Sequence, residues 1–191
     1  MRSLLDFVPG LNAVNQLGKL RWHLLESTTS RFDHVVLEAP ASGHALTTLR
    51  SPALIHQMSP PGPMRRETAN ILSFLRNPKT TRVHVVTLPA SMSCRESVQL
   101  AEALRQRAEM HLGLLICNRA LPVAPKGEPE AAQGAWAEFL SAEANAARRE
   151  HDRLTRTAEE SNLPRFDLPE LPGNGRAVVA AMAERFLEVG A

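Results

Sequence analysis

The sequence predicts an α/β fold built on a parallel sheet flanked by helices, and three observations carry that expectation. The chain has three short apolar runs, His34 to Leu37, Val83 to Thr87 and Leu112 to Cys117. None alternates polar with apolar residues and each is too short for a helix, the pattern of strands covered on both faces. Between the second and third runs, Val98, Ala101, Leu104 and Ala108 recur at three- and four-residue steps, which gives a helix one apolar face. Strand, helix and strand within about 35 residues form a βαβ unit, whose crossover is right-handed.

The remaining elements follow from the same periodicities. Ser93 and Glu96 have the spacing of a capping box, so the crossover helix is expected to begin there and run to Met110. A helix at about Met64 to Arg76, with Ile71, Leu72 and Leu75 inward, links the first run to the second. Ser51 to Pro63 holds four of the fourteen prolines and reads as a loop or short cap. Glu130 to Glu160 is rich in Ala, Glu and Arg and suits one or two helices anchored by Trp136, Phe139, Leu140 and Leu154. An extended stretch from Leu163 to Leu168, a break at Pro172-Gly173 and a last helix from Gly175 to Glu188 complete the chain. The whole is read as a single domain over residues 1–191.

At 191 residues, 43% hydrophobic and 22% charged, the composition is that of a globular domain. A net charge of +2 spread along the chain gives no reason to expect a nucleic-acid partner. No run of about 18 apolar residues is present, so no transmembrane segment is expected. Asp6, Pro9 and Gly10 interrupt the apolar start, unlike a signal peptide, which points to the cytoplasm. Cys94 and Cys117 lack zinc or disulfide spacing and read as two ordinary thiols. Arg148, Arg149, Arg153 and Arg156, with Glu143, Glu150 and Glu159, read as a solvated helix face.

Ligands collect at the carboxyl ends of parallel strands. Three segments leave predicted strands there: Glu38 to Leu46, with Ser42, Gly43 and His44; Thr87 to Ser91; and Cys117 to Pro122, with Asn118 and Arg119. Glu38 ends a buried run, Gly43 permits close backbone approach, and the Asn118 amide offers a donor and an acceptor to a ring edge. Each also has a structural explanation. A Glu before Ala-Pro is a common loop feature, a single His is often structural, and Asn118 alone makes a turn.

In this order the segments resemble the second half of the arsenite-efflux (ArsA-like) ATPase family, which includes the ATPases that target tail-anchored membrane proteins. RFDHVVLEAPASGHALTTLRSP, Arg31 to Pro52, is similar to the switch II block of that family. VHVVTLPASMSCRESVQLAEALRQ, Val83 to Gln106, resembles the next strand, loop and helix, and LLICNRALP, Leu114 to Pro122, resembles the adenine-reading strand end. PGLNAVNQLGKLR, Pro9 to Arg21, resembles the stretch ahead of switch II, and Phe166 to Pro172 matches more loosely. The resemblance implies a P-loop-NTPase-like sheet, with ATP and Mg²⁺ as ligands. It places Glu38 as the carboxylate that supports Mg²⁺ through water and Ser42, Gly43 and His44 in the γ-phosphate switch. Asn118 would read adenine, with Arg119 beside it.

The pattern departs from the family at several places that matter for chemistry. A phosphate-binding loop needs glycines and a lysine between a strand and a helix. The only lysines are Lys19, Lys79 and Lys126, and none stands in such a loop. Glu38 in place of Asp adds a methylene at a metal shell. Nothing at Cys94 or Cys117 matches the family's metalloid or zinc cysteines. The expectation is therefore an ArsA-like domain with the N-terminal P-loop βα unit absent. It would act as a dimer with a P-loop-containing chain or a missing N-terminal half in ATP-dependent transport or targeting, and be inactive alone. The alternatives are an inactive regulatory or scaffold subunit, and an unrelated small-molecule or methyl-transfer enzyme on a similar sheet.

Overall fold

A computed structural model describes residues 10–25, 32–39, 41–122, 135–170 and 175–189. Arg31, Lys126 and the Pro172-Gly173 break lie outside the described residues. The order is α1 (Leu11–Leu25), α2 (Ser42–Met58), α3 (Pro63–Leu75), β1 (Val83–Thr87), α4 (Ser91–Ala108), β2 (Leu112–Ala120), α5 (Ala135–Ser161), β3 (Arg165–Pro169) and α6 (Gly175–Val189). The chain divides into two compact units, Met1–Val83 with Gln99–Gly113, and His84–Val98 with Leu114–Ala191. No described helix is long and apolar enough to cross a membrane.

In the first unit α1, α2 and α3 pack on one another. Ile71, Leu72, Phe74 and Leu75 of α3 are buried, as the periodicity of that helix predicts. Two glycines set close approaches. Gly10 has φ +93°, and a Cβ there would stand 2.7 Å from Ser51 Oγ. A Cβ on Gly18 would meet Ile71 Cδ1 and Glu67 Oε1 at 3.3 Å, so α1 runs close along α3. Arg21 and Glu67 join the same two helices at 3.6 Å. The carbonyl of Phe74, at the end of α3, accepts Asn77 N–H at 3.4 Å and the hydroxyls of Thr80 and Thr81 at 2.7 and 3.0 Å.

The second unit carries the sheet, three parallel strands in the order β1-β2-β3. β2 and β3 run in the register Leu115↔Arg165 to Asn118↔Leu168, then Ala120↔Pro169. Residues paired across a parallel ladder share a face. Leu115 and Cys117 therefore lie with Arg165 and Asp167, and Ile116 and Asn118 with Phe166 and Leu168. Both α4 and α5 end on a non-glycine residue in the left-handed region, Glu109 at φ 56° and Asn162 at φ 49°. Leu163 N–H returns to Ala158 O at 3.1 Å, the six-to-one bond that closes a helix end, and Met110 N–H reaches one residue further back, to Leu104 O at 3.0 Å.

Several expectations change. His34 to Leu37 is not a strand: among the described residues no ladder partner flanks it, and Val36 is 93% exposed. A strand without a neighbour has no partner for its backbone groups other than water. Ser51 to Met58 is not a loop but the second half of α2, with Pro52 inside the helix. Pro52 lacks the N–H that would bond Thr48 O, and its own burial with Ile55 offsets that loss. The capping box at Ser93 does not form, because α4 begins at Ser91 and Ser93 lies in its first turn. A capping residue needs non-helical torsions. Trp136 and Phe139 do not anchor α5: they are 62% and 53% exposed and stack on each other at 5.4 Å. Leu154, at 1%, is its anchor.

Candidate functional site

The carboxyl ends of β1 and β2 are neighbours in the sheet. β2 extends to Ala120, so Asn118 and Arg119 belong to its last turn rather than to a loop beyond it. The ladder with β3 carries the strand that far. Arg119 is the extra residue between the pairs Asn118↔Leu168 and Ala120↔Pro169, a β-bulge, and it has φ 59°. Bulges re-aim side chains next to functional sites. A left-handed torsion in an L-residue costs about 1–2 kcal/mol, so neighbouring bonds must hold it. Asn118 is half-buried and Arg119 is exposed.

Those bonds come from α5. Leu121 N–H donates to Glu150 Oε1 at 2.7 Å, and Arg153 Nη1 donates to Pro89 O in the loop after β1. The arginines expected to form a solvated face thus divide. Arg148 and Arg156 bond carbonyls of their own helix, whereas Arg153 and Glu150 reach the sheet. No sequence signal separates the two kinds.

Beneath them lies a charged cluster that the motif reading passes over. Arg165 Nε and Nη2 donate to Asp167 Oδ1 and Oδ2, each at 2.6 Å, a two-pronged pair. Arg165 Nη1 donates to His151 O at 3.1 Å and Thr155 Oγ1 at 2.8 Å. Burial by itself lowers the Arg165 pKa, but the hydrogen bond and charge of Asp167 outweigh it and the net shift is upward. Cys117 is fully buried beside this pair, and burial with the charge of Asp167 pushes its pKa up to about 12. Such a thiol stays protonated and is a poor nucleophile. Alternation in β3 places Arg165 and Asp167 on one face, which is the signal available in the sequence.

Glu38, Ser42, Gly43 and His44 belong to the first unit, and Asn118 and Arg119 to the second. Ser42, Gly43 and His44 form the first turn of α2, and all four residues from the first unit are exposed. The N-cap, Ala41, provides no side-chain hydrogen bond, and the first turn carries no acidic residue. His44 N–H already bonds Ala41 O at 2.8 Å, which leaves the amides of Ser42 and Gly43 as those an anion would meet. A Cβ on Gly43 would meet nothing within 4 Å, so that side is open. Among the described residues no group of three His, Cys, Asp or Glu side chains is placed to hold a metal.

No family model matches the chain. It is 26% identical over 131 residues to ATPase BagA of Mycobacterium tuberculosis, and equally to a Mycobacterium bovis protein whose name also calls it an ATPase. The match takes in 66% of this chain and 38% of each relative's own length. The chain is thus similar to proteins named as ATPases, over well under half of their length.

Proposed function

We propose that the chain supplies the switch and base-reading elements of an ArsA-like ATP site whose phosphate loop comes from another stretch of polypeptide. The observation that carries this reading is the placement of the lysines. Lys19 lies inside α1 and Lys79 in the turn that precedes β1, so neither follows a strand and opens a helix. No described lysine therefore stands in the strand-to-helix loop that would grip the phosphates. The named ATPases that the chain resembles support the nucleotide, and the exposed apolar run His34 to Leu37 supports a partner that covers it.

In this reading Asn118 offers its amide to the adenine edge at the bulged end of β2, with Arg119 beside it. The resemblance gives Ser42, Gly43 and His44, at the positive end of α2, the role of sensing the terminal phosphate. Glu38 by itself is not a magnesium cage. A magnesium ion takes its other ligands from phosphates, water and the Ser or Thr of a phosphate loop. The bound metal and nucleotide supply the charge neutralisation of phosphoryl transfer, and this chain orients the base and senses the phosphate.

The test is to co-purify the full chain with a polypeptide encoded beside it that carries a G-K-G-G-x-G-K-T segment, and to assay ATP hydrolysis. The complex is expected to turn over ATP and the chain alone is not. Asn118→Ala, which removes up to two hydrogen bonds of about 1 kcal/mol each, should raise KM for ATP about tenfold. Turnover by the isolated chain, or failure to form a complex, refutes the proposal. A complex in which this chain alters turnover while Asn118→Ala has no effect favours the second reading, a regulatory subunit without its own phosphate loop.

A further inference from the structure

The end of β2 combines two features that call for an external brace. Arg119 is an inserted residue in the left-handed region, and Asn118 precedes it directly. A strand end of that kind has alternative conformations close in energy, and each would turn the Asn118 amide to a different direction. One backbone bond from outside the strand follows the bulge, Leu121 N–H to Glu150 Oε1 at 2.7 Å, across 29 residues of sequence. Its acceptor is a carboxyl oxygen, and the bond is short. One helical turn further along α5, Arg153 holds the carbonyl of Pro89, so the same stretch of α5 fastens the ends of two adjacent strands. Apolar packing of α5 does not require either residue, since Ala147, Leu154 and Ala158 are its buried apolar side chains among the described residues.

We infer that Glu150 is a positioning residue for base recognition: its bond to Leu121 N–H fixes the bulge at Arg119 and thereby the aim of the Asn118 amide. Arg153 does the same for the loop after β1. The base preference of the site is set from α5, by residues that touch no ligand. This inference rests on the nucleotide reading of Asn118, and the test separates the two.

The test uses the ¹⁵N-labelled full chain with adenosine and guanosine as probes, followed by NMR, for wild type, Glu150→Ala and Glu150→Gln. In wild type, adenosine should shift the Asn118 side-chain amide at lower concentration than guanosine does. In Glu150→Ala, Leu121 N–H should exchange at least tenfold faster and the preference for adenosine should fall severalfold. In Glu150→Gln, which keeps an acceptor oxygen, both should recover. A purely structural role would not move the base preference, nor be rescued by Gln in that readout. Unchanged Leu121 exchange in Glu150→Ala overturns the brace, and faster exchange with an unchanged preference overturns its control of Asn118. If wild-type Asn118 responds to neither nucleoside while Glu150→Ala speeds Leu121 exchange, the brace exists but the nucleotide reading, and the positioning role with it, is refuted.

Discussion

Raising the pH should destabilise the protein through Cys117, and the size of the effect follows from its surroundings. The thiol is fully buried against Asp167, and its pKa stands at about 12 against 9.0 for an unperturbed group. A group whose folded pKa is raised contributes stability that is complete below its unfolded pKa and is lost as the pH climbs to the folded one. The window is therefore pH 9 to 12. The unfolded chain releases the proton near pH 9 while the folded chain retains it, so each pH unit inside the window removes about 1.4 kcal/mol. By pH 10 the loss is about 1.4 kcal/mol, and over the whole window it is on the order of 4 kcal/mol. Urea unfolding of wild type and Cys117→Val between pH 7 and 10.5 measures it. The wild-type curve should fall away from the variant curve above pH 9, whatever the offset between them at pH 7. Parallel curves for wild type and Cys117→Val would refute the account of this buried thiol.

Ile71→Ala should cost about 2–4 kcal/mol in urea unfolding, because Ile71 is fully buried where α1 and α3 approach. Gly10→Ala should cost about 1–3 kcal/mol, from the positive φ and a Cβ placed 2.7 Å from Ser51 Oγ. Arg165→Lys keeps the charge but loses the two-pronged grip on Asp167 and the reach to Thr155, and should lower stability by about 1–2 kcal/mol by the same measurement. Val36→Asp should change the stability of the isolated chain by less than about 0.5 kcal/mol, given its exposure, yet weaken capture of the phosphate-loop partner in a pull-down.

The sequence by itself determined the α/β class, the strand Val83 to Thr87, the helix around Ile71, Leu72 and Leu75 and the last strand and helix. Local periodicity of apolar residues expresses each of these. It also determined that none of the three lysines has the Gly-rich G-K-[ST] context, since that is a matter of composition and spacing. Only the tertiary structure decided the rest. His34 to Leu37 has the composition of a buried strand, but pairing needs a neighbour, and composition does not report one. Pro52 reads as a helix breaker until its burial inside α2 is seen. Arg153 and Glu150 look like their solvated neighbours on α5, because charge patterning is the same whether a side chain meets water or a backbone group 29 or 64 residues away. The bulge at Arg119 arises from register with β3, a long-range property that no local pattern encodes. The residue types at the candidate site are thus legible along the chain. The contacts that aim them belong to the fold.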